Sequence, residues 1–167
     1  EYGVDLAQGF HLGKPVAINV SLATNGHAHD GSAAVTRWID AALTTSGRAV
    51  IVAAGNSGQE RAESESDLGF ITGRIHSSGV IPAAGLVRDL EWVVVGNGLM
   101  DVSENEMEIW FSAQDRIAVS VKPPGKDWIG PIEPCEFIEN RVIQDGTVLS
   151  DYNEVYHPAN GHNYISL

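Results

Sequence analysis

The chain has 167 residues, room for one ordinary domain or two small ones. Its 43% apolar and 19% charged content fits a folded chain rather than a disordered one. A formal net charge of -12 speaks against nucleic acid as a partner, no run approaches the length of a membrane span, and the single cysteine, Cys135, excludes an internal disulfide framework.

In chain order, "PVAINVSL" (15–22) reads as a short apolar strand. "GSAAVTRWIDAALTTSG" (31–47) reads as a helix. Val35, Trp38, Ile39, Ala42 and Leu43 recur at three- and four-residue spacing and form one apolar stripe. Asp30 or Ser32 can cap its start and Gly47 can close its end. "RAVIVAA" (48–54) is a second strand. Its lack of polar alternation predicts burial on both faces, as in a parallel sheet. Strand, helix and strand together predict a right-handed crossover unit. "QERAESESD" (59–67) carries both signs of charge and reads as a solvated connection.

Beyond about residue 75 the period falls to two, the strand pattern. "LEWVVVG" (90–96), "EMEIWFS" (106–112) and "RIAVSVK" (116–122) are predicted strands, the last two joined by "AQD" as a hairpin. "PPGKDWIGP" (123–131) breaks the chain. "EFIENRVI" (136–143), "TVLSDY" (147–152) and "NYISL" (163–167) are further strands, with "QDG" (144–146) as a turn. Cys135 reads as a small core residue. The predicted fold class is α/β plus β: a parallel strand-helix-strand segment in residues 1–75, then a β-rich, sandwich-like part in 76–167. A start at Glu1 rather than Met, and an end in mid-pattern at Leu167, predict a piece of a longer protein.

In an open parallel sheet, ligands bind beyond the carboxyl ends of the strands. "SLATNG" (21–26) and "AAGNSG" (53–58) are therefore expected on one edge. Two runs of small residues make a rim to which an extended peptide can add by main-chain hydrogen bonds. Asn56, directly after that rim, could donate to a developing oxyanion. "AINVSLATNG", a helix and then "AVIVAAGNSG" resemble the middle of the subtilisin-like serine protease domain. There a strand ending in Ser-Leu-Gly-Gly precedes a helix and a Val-rich strand ending in Ala-Ala-Gly-Asn. "GHAHDGSAAVTRWIDAAL" also resembles a subgroup that includes clostridial spore germination proteases.

The resemblance implies that Asn56 is the oxyanion-hole asparagine. It implies that Ser21, Leu22 and Ala23 line one side of the substrate pocket, and Ala53, Ala54 and Gly55 the other. Ala23 and Thr24 stand where the family carries glycines. The family's Asp-Thr/Ser-Gly, His-Gly-Thr and Gly-Thr-Ser motifs do not occur in the chain. The catalytic Asp and His are then expected before Glu1 and the Ser after Leu167, and this chain alone is expected to be inactive. The later half would be an insertion related to the jelly-roll modules of some subtilases. The implied partner is a peptide or protein substrate of the parent. An extracellular or cell-surface location follows from the resemblance alone.

"HDGS" (29–32) does not read as a local triad, because a proton relay needs groups converging from separate elements; Asp30 reads as a helix cap. His27 with His29, and His157 with His162, lack the spacing of a zinc motif and read as turn residues. Asp101, Glu104 and Glu106 are candidate calcium ligands, against the preferred reading of a solvated acidic turn. Trp92, Trp110 and Trp128 could form a sugar-stacking platform, with core packing preferred. The rival to a protease is a non-catalytic binding or scaffolding module, its β-rich half holding a protein or a glycan. Open sheet edges also predict self-association of the chain.

Overall fold

The computed structural model describes residues 14–22, 24–55, 71–73, 77–92, 105–143 and 146–167, with the backbone alone for 71–73. Among the described residues the chain is mostly β with one helix, and it carries a parallel β-α-β unit and a four-stranded antiparallel sheet. It divides into two compact units. One draws on residues 1–26 and 34–95, the other on 27–33 and 96–167.

In the first unit, β1 (Val16–Val20) and β2 (Arg48–Val52) pair in parallel, from Val16 opposite Arg48 to Val20 opposite Val52. Their branched Val and Ile residues suit a pleated ladder. Between them runs α1 (Ala34–Leu43), a stretch free of Gly and Pro. Its last carbonyls find local partners. The Thr44 hydroxyl donates to the Ala41 carbonyl at 2.7 Å, and Arg48 Nη1 to that of Ala42 at 3.3 Å. Gly47 closes the following turn rather than the helix itself. It holds φ 80°, and its carbonyl accepts the Val16 N–H at 2.8 Å.

The predicted stripe is only partly covered. Ile39 and Ala42 are half-buried, while Val35, Trp38 and Leu43 are exposed. The two-faced burial expected of 48–54 is likewise absent, since Ile51 and Val52 are each 52% exposed. The reason is width. A ribbon of two strands is about 10 Å across, no broader than the helix it meets, and it leaves the flanks of both uncovered. A short antiparallel pair, β3 (Ile71–Gly73) with β4 (Ser77–Gly79), completes the described part of this unit.

In the second unit, β5 (Glu108–Phe111), β8 (Phe137–Val142), β9 (Val148–Glu154) and β10 (Asn163–Ser166) form the antiparallel sheet, in the order β5-β10-β9-β8. A second ribbon pairs β6 (Val119–Val121) with β7 (Ile129–Ile132). The ribbon lies against one face of the sheet. From β9, Asn153 Nδ2 donates to the carbonyls of Ile132 at 3.2 Å and Ile117 at 2.8 Å. The core between them is Ile129, Ile132 and Ile165, together with the buried polar residues Asp151, Asn153 and Asn163.

Several expectations need correction here. "AQD" makes no hairpin between 106–112 and 116–122, because β5 pairs with β10 and β6 with β7. The turn, closed by the Asp115 N–H on the Ser112 carbonyl, carries the chain from the sheet to the ribbon. Buried Asn163 locks that corner through Nδ2, which donates to the Ser112 and Asp115 carbonyls at 3.0 and 2.7 Å. β7 contains the Gly-Pro pair that sequence alone reads as a breaker; Pro131 fits because a two-stranded ribbon has an open edge. Of "LEWVVVG", residues 90–92 are not in a strand, and 93–96 lie outside the described residues, as do Gln144 and Asp145 of the "QDG" turn. Cys135 is exposed rather than in the core, at φ 70° in a turn where the Glu136 N–H meets the Glu133 carbonyl.

Asp151 is 1% exposed, and its Oδ1 has no hydrogen-bond partner among the described residues. Burial raises its pKa from 3.8 to about 6. The folded state therefore holds this proton more tightly than the unfolded chain. The stabilisation is complete below 3.8 and is lost as pH rises through about 6. Thermal melts across that window are expected to show a falling midpoint in the native chain. Asp151→Asn should flatten the fall. A parallel fall in both proteins would assign it to other groups.

Candidate functional site

The register of β1 and β2 decides how their carboxyl ends sit. Val20 faces Val52, so Ser21-Leu22 and Ala53-Ala54-Gly55 leave the ladder level with each other on one edge. One further bond, from the Ala53 N–H to the Val20 carbonyl at 3.1 Å, carries the pairing past the last strand residue. Asn19 Nδ2 donates to Ser21 Oγ at 2.9 Å and fixes that side chain at the start of the rim. Gly55 stands at φ 76°, a conformation that favours glycine, and turns the chain out of the strand direction.

The described rim residues, Ser21, Leu22, Ala53, Ala54 and Gly55, are all exposed, with Leu22 at 77%. No charged residue lies in 15–22 or 49–55. The edge is thus a neutral, accessible strip with small side chains on the β2 side, where an extended chain meets little steric obstruction. Ala23 and Asn56 lie outside the described residues.

Asp30 and Ser32 pair directly rather than through an imidazole. The Ser32 N–H donates to Asp30 Oδ1 at 2.8 Å, and Asn160 Nδ2 to Asp30 Oδ2 at 2.8 Å. Bonds from the Ser32 side chain and backbone, then from Asn160, lower the Asp30 pKa from 3.8 to about 2. Asp30 therefore builds a turn ahead of α1, which begins four residues later at Ala34, and does not cap it.

His157 and His162 close the β9–β10 connection. The His157 N–H donates to the His162 carbonyl at 2.7 Å, and the Gly161 N–H to the His157 carbonyl at 2.7 Å. Among the described residues, no group of three or more His, Cys, Asp or Glu is placed to hold a metal ion. Of the candidate calcium ligands, Asp101 and Glu104 lie outside the described residues, and Glu106 Oε1 accepts the Ser166 hydroxyl at 3.3 Å.

The tryptophans are not core residues. Trp92 is 39% exposed, and Trp128 is 55% exposed beneath Lys122 Nζ. Trp110 sits half-buried on the sheet face opposite the ribbon, 4.4 Å from the Tyr164 ring, with its Nε1 bonded to Glu108 Oε2 at 2.9 Å. This aromatic and acidic face was not singled out in the sequence. The signal lies in strand alternation, with Glu108, Trp110, Tyr152, Glu154 and Tyr164 all at positions of one parity once the register is known.

No family model, curated protein or solved structure matches the chain.

Proposed function

We propose that residues 15–58 are the segment of a subtilisin-like serine endopeptidase that borders the substrate groove and supplies its oxyanion asparagine, Asn56. The observation that carries this reading is the parallel register that brings Ser21-Leu22 level with Ala53-Ala54-Gly55, directly before Asn56 in the chain. A neutral rim of this kind suits main-chain pairing with an extended peptide.

In the complete enzyme a serine attacks the peptide carbonyl and a histidine takes its proton. The Asn56 carboxamide then donates to the oxygen on which charge develops. Asp-Thr/Ser-Gly, His-Gly-Thr and Gly-Thr-Ser are absent from these 167 residues, so the triad must come from outside them. The β-rich second unit would be an insertion between the asparagine and the serine.

A serine-directed fluorophosphonate tests the reading. The full-length protein should label at a serine within a Gly-Thr-Ser motif that follows this segment, and the 167-residue chain should not label. A full-length protein that takes no label, or whose sequence lacks the three flanking motifs, would overturn the assignment in favour of a non-catalytic module.

A further inference from the structure

The face of the four-stranded sheet turned away from the ribbon carries two pairs of rings. Trp110 and Tyr164 lie 4.4 Å apart, and Phe137 and Tyr152 stack at 6.0 Å with an interplanar angle of 10°. The register aligns them. Tyr164 sits between Trp110 and Glu154, while Ser166 stands between Glu108 and Tyr152, with Phe137 beyond. Alternation along β8 adds Glu139 to the same face, bonded to the Tyr152 hydroxyl.

Rings and carboxylates therefore alternate across a face that is open at Phe137 and Tyr152 and half-buried at Trp110 and Tyr164, where Glu108 Oε2 also accepts the His27 N–H at 2.6 Å. Phe137 is 65% exposed, Tyr152 is 38% exposed, and Glu139 and Glu154 are exposed. Among the described residues of these strands, no lysine or arginine shares this face. Arg141 is the one basic residue in these four strands, and it registers with Leu149, whose parity puts it on the opposite face. His157 meets Trp110 and Tyr164 edge-on, with Nε2 3.9 Å from Glu154. The carboxylates are felt by the rings. Tyr164 has its pKa raised, by burial first and then by Glu108, Glu106 and Glu154.

We infer that this face is a docking surface for an extended, lysine- or arginine-bearing polypeptide. Cationic side chains would lie over the ring pairs with a carboxylate beside each. An ammonium or guanidinium group is attracted to a ring face and gains further from an adjacent carboxylate. The register sets the two ring pairs two strand spacings apart and two residues along the strands, about 12 Å, a gap that side chains four residues apart in an extended peptide, about 13 Å, can span. Charge decides the class of partner. A neutral glycan could stack on the rings, but it would take Glu139 and Glu154 out of water with no opposite charge to meet them. The inference does not depend on the protease reading, because all these residues belong to the second unit.

Titration of the 167-residue chain, followed by tryptophan fluorescence and by calorimetry, tests it. The probes are a capped Gly-Lys repeat peptide, the matching Gly-Glu peptide and a neutral cello-oligosaccharide. The lysine peptide should bind, with an affinity that falls as salt is raised, and the other two should not. Replacing two surface carboxylates that flank the rings, as in Glu139→Gln with Glu154→Gln, should weaken lysine-peptide binding about tenfold. Both positions are exposed, so the fold should be kept. Binding of the sugar without the lysine peptide, equal binding of the two peptides, or full affinity in the double variant would each overturn the proposal.

Discussion

Asn163→Ala is expected to lower the stability of the β-rich unit by about 3 kcal/mol, read as a shift of the denaturant midpoint at unchanged slope. Asn163 is fully buried and uses both ends of its amide. Nδ2 donates to the Ser112 and Asp115 carbonyls, and Oδ1 accepts the Tyr156 N–H at 3.2 Å. Truncation removes all of these at once. Each orphaned backbone group costs about 1–3 kcal/mol where water cannot reach it. These contacts are part-buried, so partial rehydration keeps the total near the lower end of the sum. Asn163→Asp keeps the acceptor but sets a buried carboxylate against the Ser112 and Asp115 carbonyl oxygens, and at neutral pH should cost at least as much. Asn160→Ala is the contrast. Its bonds to Asp30 and the His162 N–H are exposed, and its loss should cost under about 1 kcal/mol. Equal effects at 160 and 163 would deny the corner lock its role.

The parallel unit was legible because its signals are local. Val and Ile runs mark β1 and β2, and a stretch without Gly or Pro marks α1 between them. The level strand ends followed from direction alone, since two parallel strands finish on one edge. The four strands of the antiparallel sheet and β6 were legible for the same reason, and their bounds fell within the predicted runs but for the last two residues of β9; β7, inside a run read as a breaker, and the β3–β4 pair were not. Their pairing was not. "AQD" looks like a hairpin turn, but β5 pairs with β10, and the turn's carbonyls are held by Asn163, some fifty residues away in sequence. Alternation shows which side chains share a face, not which strands are neighbours. Burial departs from composition in both directions. Trp92, Trp128, Cys135, Ile51 and Val52 have the composition of a core and lie at the surface. The core instead takes in Asp151, Asn153 and Asn163, polar residues whose sequence surroundings give no sign of it. The narrow ribbon accounts for Ile51 and Val52, while Trp92, Trp128 and Cys135 lie in connections outside the strands. Carbonyls left over where a ribbon meets a sheet account for the asparagines, because a buried backbone oxygen needs a donor and the asparagine amide supplies one.

The most direct test of the functional account lies at Asn56. The substitution Asn56→Leu keeps a side chain of similar volume and removes the amide donor. In the full-length protein, turnover of a peptide substrate should then fall by about 10²–10³, a magnitude carried over from subtilisin. The Michaelis constant should barely move, because in the proposed role the donor would meet an oxyanion that exists only in the transition state. A kcat for Asn56→Leu that matches the native enzyme, or a loss confined to substrate affinity, would contradict the account.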